Sequence, residues 1–354
     1  MDADQQESRG AGRGTPRKPL AGGRTSIADV AAHAKVSIAT VSRVLNSPDL
    51  VAATTAKAVN DAISTLNYRP NRFARGLVTR KSHVLGISLP DLHGEFYSEL
   101  MQAADEEAGR LGYSVLVTSS HAKPGKAGRP ASAFPLDLID GMVSMVTEVS
   151  GPMSEAGRTS SLPSVLLCDN PEAWPGVSTV SIDQGTGTRA ATLHLLKEQS
   201  ADRCYFVAGH EGNLDSDQRC RAFVETIESS DPSATARISH GEFTFEWGRE
   251  WARAMVKAGK LDGAAVLAGN DEIALGIMDV ARNAGLRIPR DLRVIGFDDS
   301  RLCRLVDPML SSVSVPIAEA TRRAVRMLTE RLSNPELEPE HVSLTTSLVL
   351  RASS

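Results

Sequence analysis

The sequence predicts an α/β protein in two parts: a small helix-turn-helix head, then a body of two doubly wound, parallel-sheet lobes. Three observations carry this. Residues 26–68 repeat apolar side chains at the spacing of short helices. From residue 83 onward, eight short apolar runs alternate with helical patterns, which is the arrangement of parallel strands joined by helical crossovers. Charge is uneven: residues 1–82 carry a net +7, so the remainder carries −11 against −4 for all 354 residues. A basic head on an acidic body assigns any polyanionic partner to the head.

The bulk numbers fit this division. The length allows two or three compact units. With 41% hydrophobic and 23% charged residues the composition is that of an ordinary soluble protein, and with only 4% aromatics the core must be built from Val, Leu, Ile and Ala. The cysteines at 168, 204, 220 and 303 have no C-x-x-C spacing. No zinc site, other metal or cofactor is therefore expected, and the thiols read as buried groups in a reducing compartment. No apolar run approaches the roughly 18–20 residues of a membrane span. The start of the chain lacks the apolar centre of a secretory signal, so a cytoplasmic protein is expected. Residues 1–25 are rich in Gly, Arg and polar groups and read as a disordered tail.

Residues 26–69 form the head. Ser26-Ile27-Ala28-Asp29 has capping-box spacing with Asp in place of Glu, and Ile27, Val30, Ala31 and Ala34 fall on one helix face. A tight turn follows at 34–36. Ser37 caps a second helix whose dry stripe is Val41, Val44 and Leu45. A third helix, capped by Thr54 or Thr55, brings Ala58, Val59, Ala62, Ile63 and Leu66 to the same core. Two short helices joined by a three- to four-residue turn make a helix-turn-helix. The second helix exposes Ser37, Ile38, Ala39, Thr40, Ser42, Arg43 and Asn46. Small side chains allow close approach to base edges in a major groove, and Arg43 has the geometry to pair with guanine. The alternative is a three-helix bundle whose polar face is merely solvated.

Residues 70–82 read as a hinge. Pro70 suits a first helical position, but "NRFARGLV" is too short to be helical alone, and Gly76 weakens it further. Such a strip folds only against DNA or a partner. Asn71, Arg72 and Arg75 join the DNA-binding candidates, and Leu77 is a candidate wedge for a minor-groove step.

"ADVAAHAKVSIATVSRVLN" followed by "TTAKAVNDAISTLNYRPNRFARGL" closely resembles the head of the lactose/galactose repressor (LacI/GalR) family of bacterial transcription regulators. The resemblance implies that Ile38, Ala39 and Arg43 read bases. It also implies that two subunits insert Leu77 together at the centre of a palindromic operator. Ile38-Ala39 replaces the pairs commoner in that family, so the operator sequence does not transfer.

Residues 83–354 form the body. The strand candidates are 83–90, 113–120, 140–146, 163–169, 179–183, 203–209, 263–271 and 293–299. Helical patterns lie at Tyr97–Leu111, Gly187–Lys197, Gln218–Ser229, Trp247–Ala258 and Glu272–Ala284. Eight strand–helix units exceed one comfortable sheet, hence two lobes. Ligands in such folds sit beyond the carboxyl ends of the strands. Polar groups gather there: Asp91 with Phe96 and Tyr97 after it, Asp169, Arg219, Phe243, Asn270 and Asp298. Carboxylates and an amide can bond adjacent hydroxyls, Arg can fix an oxygen, and an aromatic face can cover a sugar. The alternative for each Asp or Asn is a helix cap or a turn.

The resemblance extends over about 83–349 and is strongest in "LAGNDEIALGIMDVARNAGLRIPRDLRVIGFDDS" and "DPMLSSVSVP". It implies a periplasmic-binding-protein-like body, three strands crossing between the lobes, side-by-side pairing of subunits, and effector contacts from Arg219, Phe243, Asn270, Asp298, Asp91 and Phe96. Three features depart from the family pattern. Residues 120–138 are rich in Pro and Gly where relatives carry a regular helix. Cys168 stands where the family places Asp, with Asp169 one residue later. Val315 occupies a position that is often Gln.

The expected function is a homodimeric DNA-binding repressor, not an enzyme, controlled by a small sugar-like effector. One alternative is a regulator that has lost small-molecule control; another is a solute-binding receptor, against which the basic head argues. Gly185-x-Gly187-x-x-Ala190 matches a dinucleotide fingerprint, but the next strand carries no acid to grip a ribose.

Overall fold

A computed structural model describes residues 25–68, 81–119, 138–147, 162–168 and 174–354, apart from the Asn46 side chain. The chain divides into two units, Met1–Arg75 and Gly76–Ser354.

In the first unit, α1 (Ile27–His33), α2 (Ile38–Asn46) and α3 (Ala53–Thr65) enclose a core of Val30, Ala31, Val41, Val44, Val59 and Ala62. The expected capping box is present. Ser26 Oγ accepts from the Asp29 amide at 3.3 Å, and the Asp29 carboxylate accepts from the Ser26 amide at 2.8 Å. The α1–α2 turn closes as a Schellman motif, in which Lys35 N–H donates to Ala32 O and Val36 N–H to Ala31 O. Lys35 holds φ +55°, a position where glycine is usual. The same motif ends α3, with Asn67 at φ +46° and Tyr68 N–H donating to Ile63 O. Thr54 and Thr55 do not cap α3. A 3-10 turn at Pro48–Leu50 puts Val51 against the head core, so the helix begins at Ala53 behind an Ala52 cap without a side-chain bond.

The second unit holds two six-stranded sheets. The first contains β1 (Val84–Leu89), β2 (Ser114–Ser119), β3 (Gly141–Met145), β4 (Ser164–Leu167), β5 (Ser178–Asp183) and β11 (His341–Thr345). Their order is β2-β1-β3-β4-β5-β11, all parallel. The second contains β6 (Cys204–Ala208), β7 (Arg237–His240), β8 (Ala264–Ala268), β9 (Leu292–Asp298), β10 (Ser311–Ser314) and β12 (Ser347–Val349), ordered β7-β6-β8-β9-β10-β12. Only β12 runs antiparallel there. All eight anticipated strands are present; β7, β10, β11 and β12 were not anticipated. In each sheet the strand order reverses beside its first strand, β1 or β6, which is where an open α/β sheet has its ligand crevice.

Six helices serve these sheets among the described residues: α4 (Glu95–Arg110), α5 (Gln184–Leu196), α6 (Leu214–Ser230), α7 (Phe245–Lys257), α8 (Asp271–Asn283) and α9 (Ile317–Ser333). Each of the five anticipated helices starts earlier than its apolar pattern does. The cause for four of them is an N-cap: Asp183, Asn213, Thr244 and Asn270 each accept a bond from a first-turn amide.

The chain crosses between lobes three times, after β5, after β10 and between β11 and β12. One residue ties two crossings together. Thr346 Oγ1 donates to Asp183 O at 2.7 Å and accepts from Gly187 N–H at 2.9 Å. A Cβ on Gly187 would lie 2.3 Å from Val313 Cγ1 and 2.6 Å from Thr346 Oγ1, so only glycine fits. In the first lobe, α9 lies against α4, where buried Glu107 accepts from Arg110 at 2.6 Å and stands 3.5 Å from Arg326. All four cysteines are buried thiols.

Candidate functional site

The head presents its polar face on α2. Ser37 Oγ accepts from the Thr40 amide at 3.0 Å and lies 2.8 Å from Thr40 Oγ1. Two of the predicted contact residues are thus joined in the cap. Val41 and Val44 point inward and turn Ser37, Ile38, Ala39 and Arg43 to the outside; Ser42 and Thr40 are half-buried. Ile38 stays 51% exposed, so an apolar side chain leads the face that carries Arg43. A capped helix with small residues around one apolar and one guanidinium group suits entry into a major groove. The Asn46 side chain and the hinge candidates Asn71, Arg72, Arg75 and Leu77 lie outside the described residues.

In the body, the carboxyl ends of β1, β6, β8 and β9 bring the predicted cleft residues into two groups. Arg219, on α6, is 4% exposed. Its Nε donates to Gln184 Oε1 at 3.1 Å, another guanidinium nitrogen donates to Gly269 O at 2.6 Å, and its Cζ lies 3.8 Å from the centre of the Phe297 ring. Asp298 closes β9 with φ +105°, in a region that L-residues seldom adopt. Its carboxylate has no hydrogen-bond or ion-pair partner among the described residues. Burial, together with Asp271, Asp215 and Glu272, pushes this carboxyl well above the usual aspartate range, against the pull of Arg219. In the first lobe, burial and the charges of Asp215, Asp91 and Asp298 raise the Tyr97 phenol.

The other group is Phe243 and Asn270. Asn270 Oδ1 accepts from the Ile273 amide at 2.9 Å, and its Nδ2 donates to Phe243 O at 3.3 Å. Asn270 is thus the cap of α8, as the alternative reading of strand-end polar residues allowed. Phe243 covers Gly209 so closely that a Cβ there would lie 2.2 Å from the ring, and His210 meets it edge-on at 5.8 Å.

Asp91 is half exposed. Despite partial burial, its bonds from His93 Nδ1 at 3.0 Å and the Leu92 amide at 2.6 Å hold its carboxyl below the usual range. Phe96 packs edge-on against Tyr97 at 5.4 Å, and both half-buried rings lean on the lobe core. Asp169 lies outside the described residues.

Sequence reasoning placed Tyr97 beside Phe96 after Asp91 without assigning it a contact, and it missed Gln184, Asp215 and Glu272. Tyr97 and Phe96 are adjacent, so about 100° of helix rotation separates them and composition cannot say which turns to the cleft. Gln184 follows the Asp183 cap at a lobe crossing and holds both Arg219 and, at 3.4 Å, Asp215. Among the described residues, no three His, Cys, Asp or Glu side chains meet in a way that could hold a metal ion, and no helix is long and apolar enough to cross a membrane.

Comparison with known proteins bears on both sites. Residues 26–71 match the family model for bacterial regulatory proteins of the lacI family, and residues 192–354 match a periplasmic binding protein-like domain. The ribose operon repressor of Halalkalibacterium halodurans is 31% identical over 331 residues, covering 92% of this chain and 96% of that protein. A transcriptional regulator CelR–cellobiose complex superposes with a TM-score of 0.66 at 25% identity, over 94% of this chain and 100% of that one. The lac repressor dimer bound to operator and an anti-inducer gives a TM-score of 0.79 at 23% identity, over 94% of this chain and 99% of that one, which extends the likeness in fold to the whole two-lobed body. On the match of its head and the near-full-length likeness to the ribose operon repressor, the chain belongs to the lacI family of bacterial regulatory proteins.

Proposed function

We propose that the chain is a cytoplasmic, homodimeric repressor that binds a palindromic operator and is controlled by a sugar-like effector held between the lobes. The exposed Ile38–Arg43 face of a capped, well-packed α2 carries the reading. In it, Ile38, Ala39 and Arg43 read bases, Ser37, Thr40, Ser42 and Asn46 bond phosphates or bases, and Asn71, Arg72 and Arg75 steady the hinge on the duplex. Leu77 from each subunit enters one minor-groove step. Residues 1–25 act as a tail, 26–69 as the reader, 70–82 as the hinge and 83–354 as the effector and pairing body. Nothing in this scheme calls for catalysis.

Effector control follows from the cleft. The Asp298 carboxylate and the half-buried Tyr97 phenol have no hydrogen-bond partner among the described residues, which supports their offering bonds to a ligand. The names of its likenesses, a ribose operon repressor and a cellobiose complex, support a sugar-like ligand. A ligand that binds one lobe arrangement better shifts the hinge population and with it operator occupancy.

A second reading has its own support. Arg219 and Asn270 each make two hydrogen bonds within the protein, as they would in a regulator that no longer binds a small molecule. Selecting bound fragments from a genomic library, with and without sugars, tests both readings. The proposal expects one palindromic class, retained more weakly as salt rises and altered by at least one sugar. Retention that no sugar alters favours the second reading; retention of no specific fragment refutes DNA recognition.

A further inference from the structure

The side chain that leads the reading helix is one that the head does not need for its own stability. Val30, Ala31, Val41, Val44, Val59 and Ala62 make the head core, and half-buried side chains such as Leu45 and Val51 pack against it; Ile38 belongs to neither group. It stays 51% exposed in the first turn of α2, the one large apolar side chain so exposed among the described residues of that helix. Helix propensity does not ask for it, since β-branched residues rank below alanine and the straight-chain polar residues. What isoleucine brings is stiffness. In a helix it holds one strongly preferred χ1 rotamer, so its methyl groups are in place before anything binds.

Ile38 has no donor or acceptor in its side chain, and neither has the exposed Ala39 beside it. Ser37 and Thr40, the hydroxyls on either side, lie 2.8 Å from each other, and Ser37 Oγ accepts from the Thr40 amide at 3.0 Å, so both belong to the helix cap. Arg43, four residues after Ala39 and thus its neighbour on the helix surface, is the charged group of this face. In the major groove each base shows a different edge. Guanine offers two acceptors, adenine an acceptor and a donor, cytosine a donor, and thymine an acceptor beside a C5-methyl group. Against isoleucine, a guanine, adenine or cytosine edge would lose water and gain no partner. Thymine alone offers an apolar surface there.

We propose that Ile38 is a specificity-determining residue that packs on a thymine C5-methyl group. Each operator half-site then carries an A·T pair where the first turn of α2 enters the groove, read by its methyl rather than by hydrogen bonds. This deepens the proposed function and rests on α2 being the reading helix. Ala39 lets the helix approach closely enough for the contact, and Arg43 reads a separate pair.

The test uses the full-length protein and the palindromic duplex that it retains best from a random library. Each symmetric pair of thymines is replaced in turn by deoxyuridine, which removes the methyl group and keeps every hydrogen-bonding group. Dissociation constants are then measured by fluorescence anisotropy at fixed salt. At one symmetric pair, uracil is expected to weaken binding roughly fourfold in one half-site and roughly fifteenfold in both, as the loss of one buried carbon from each contact requires. Ile38→Ala should cut that penalty to roughly twofold or less in one half-site, and Ile38→Val should keep most of it. Arg43→Ala should weaken binding while leaving the penalty whole. Ile38 is exposed, so its variants should melt with their parent. If no thymine pair shows a penalty, or if Ile38→Ala and its parent show the same penalty at every pair, the methyl contact is overturned while DNA recognition stands. If no palindrome is preferred to random duplex, recognition itself fails and takes this inference with it.

Discussion

Gly187→Ala puts the lobe crossings to a direct test. The added methyl would lie 2.3 Å from Val313 Cγ1, 2.6 Å from Thr346 Oγ1 and 3.0 Å from Thr346 Cβ. Both neighbours are buried, and neither is the loose end of a long side chain. Overpacking of this kind costs about 1–3 kcal/mol. Moving Thr346 also disturbs its bonds to Gly187 N–H and Asp183 O, each worth about 0.5–1.5 kcal/mol. Against this, alanine in place of glycine favours a helix by at most about 1 kcal/mol. The balance is a destabilisation of about 2–3 kcal/mol, a drop of roughly 5–10 °C in the melting temperature of a body this size. Gly185→Ala is the control. It changes the same residue type in the same helix, but its methyl meets only the Arg189 guanidinium, an exposed group that can swing aside. It should shift the melting temperature little. Scanning calorimetry on the two variants decides the matter. Equal melting temperatures, or a Gly187→Ala protein as stable as its parent, would refute the claim that Thr346 locks two crossings through contact at Gly187.

Three further outcomes are expected. Arg43→Ala should lower operator affinity by about 1–3 kcal/mol and relax discrimination at one base pair while leaving nonspecific binding close to its parent's, as gel shifts against operator and mismatched duplex would reveal. Hydrogen bonds from Arg110 hold the Glu107 carboxyl below its ordinary value in spite of its burial. Its contribution is thus present above the unfolded-state pKa and disappears as pH falls through the folded value. Glu107→Gln should therefore flatten the acid limb of a melting-temperature-versus-pH curve, and an unchanged limb would contradict the assignment. Asp298 has the opposite sign: its folded pKa is raised by burial, so stability falls as pH rises from the ordinary aspartate value through the folded one. Asp298→Asn should melt higher than its parent at neutral pH and lose that advantage in acid, measured by the same scans.

The most legible strands and helices carry an apolar run or stripe against their own lobe, as in β8, Ala264–Ala268, buried at every position. The elements that escaped notice are those whose burial depends on distant chain. β11 alternates exposed and half-buried residues, and β12 has only three residues. They exist because β5 and β10 offer edges to pair with, nearly 160 residues and some 35 residues earlier in the chain. β7 is likewise a four-residue edge strand with no fully buried position. In the head, the capping box and the Ser37 cap were readable because they are local, whereas the start of α3 was set by the 3-10 turn before it. In the cleft, residue type identified strand-end Asp, Asn and Arg but not their partners. That is why Asn270 and Asp298 read alike in the sequence and differ in the structure.

The difference between those two residues separates folding from binding. Asn270 spends both ends of its amide inside the protein, on a helix cap and on Phe243 O. Asp271 and Asp299 are spent as well. Asp271 accepts from Ser300 N–H at 2.7 Å and Ser312 Oγ at 2.6 Å, while Asp299 pairs with Arg351 at 2.5 Å and donates its amide to Ser312 Oγ at 3.0 Å. These bonds fix the turn from both sides of Asp298 and hold its backbone at φ +105°, a conformation that costs on the order of 1–3 kcal/mol and persists only when its surroundings over-determine it. A turn needed only to end β9 would not require a carboxylate in that position, since its neighbours already supply every anchoring bond. Strain maintained around Asp298, which has no partner among the described residues, is therefore better explained by what that acid meets when the cleft is occupied than by the stability of the empty lobe, and the Asp298→Asn melting curve tests that explanation.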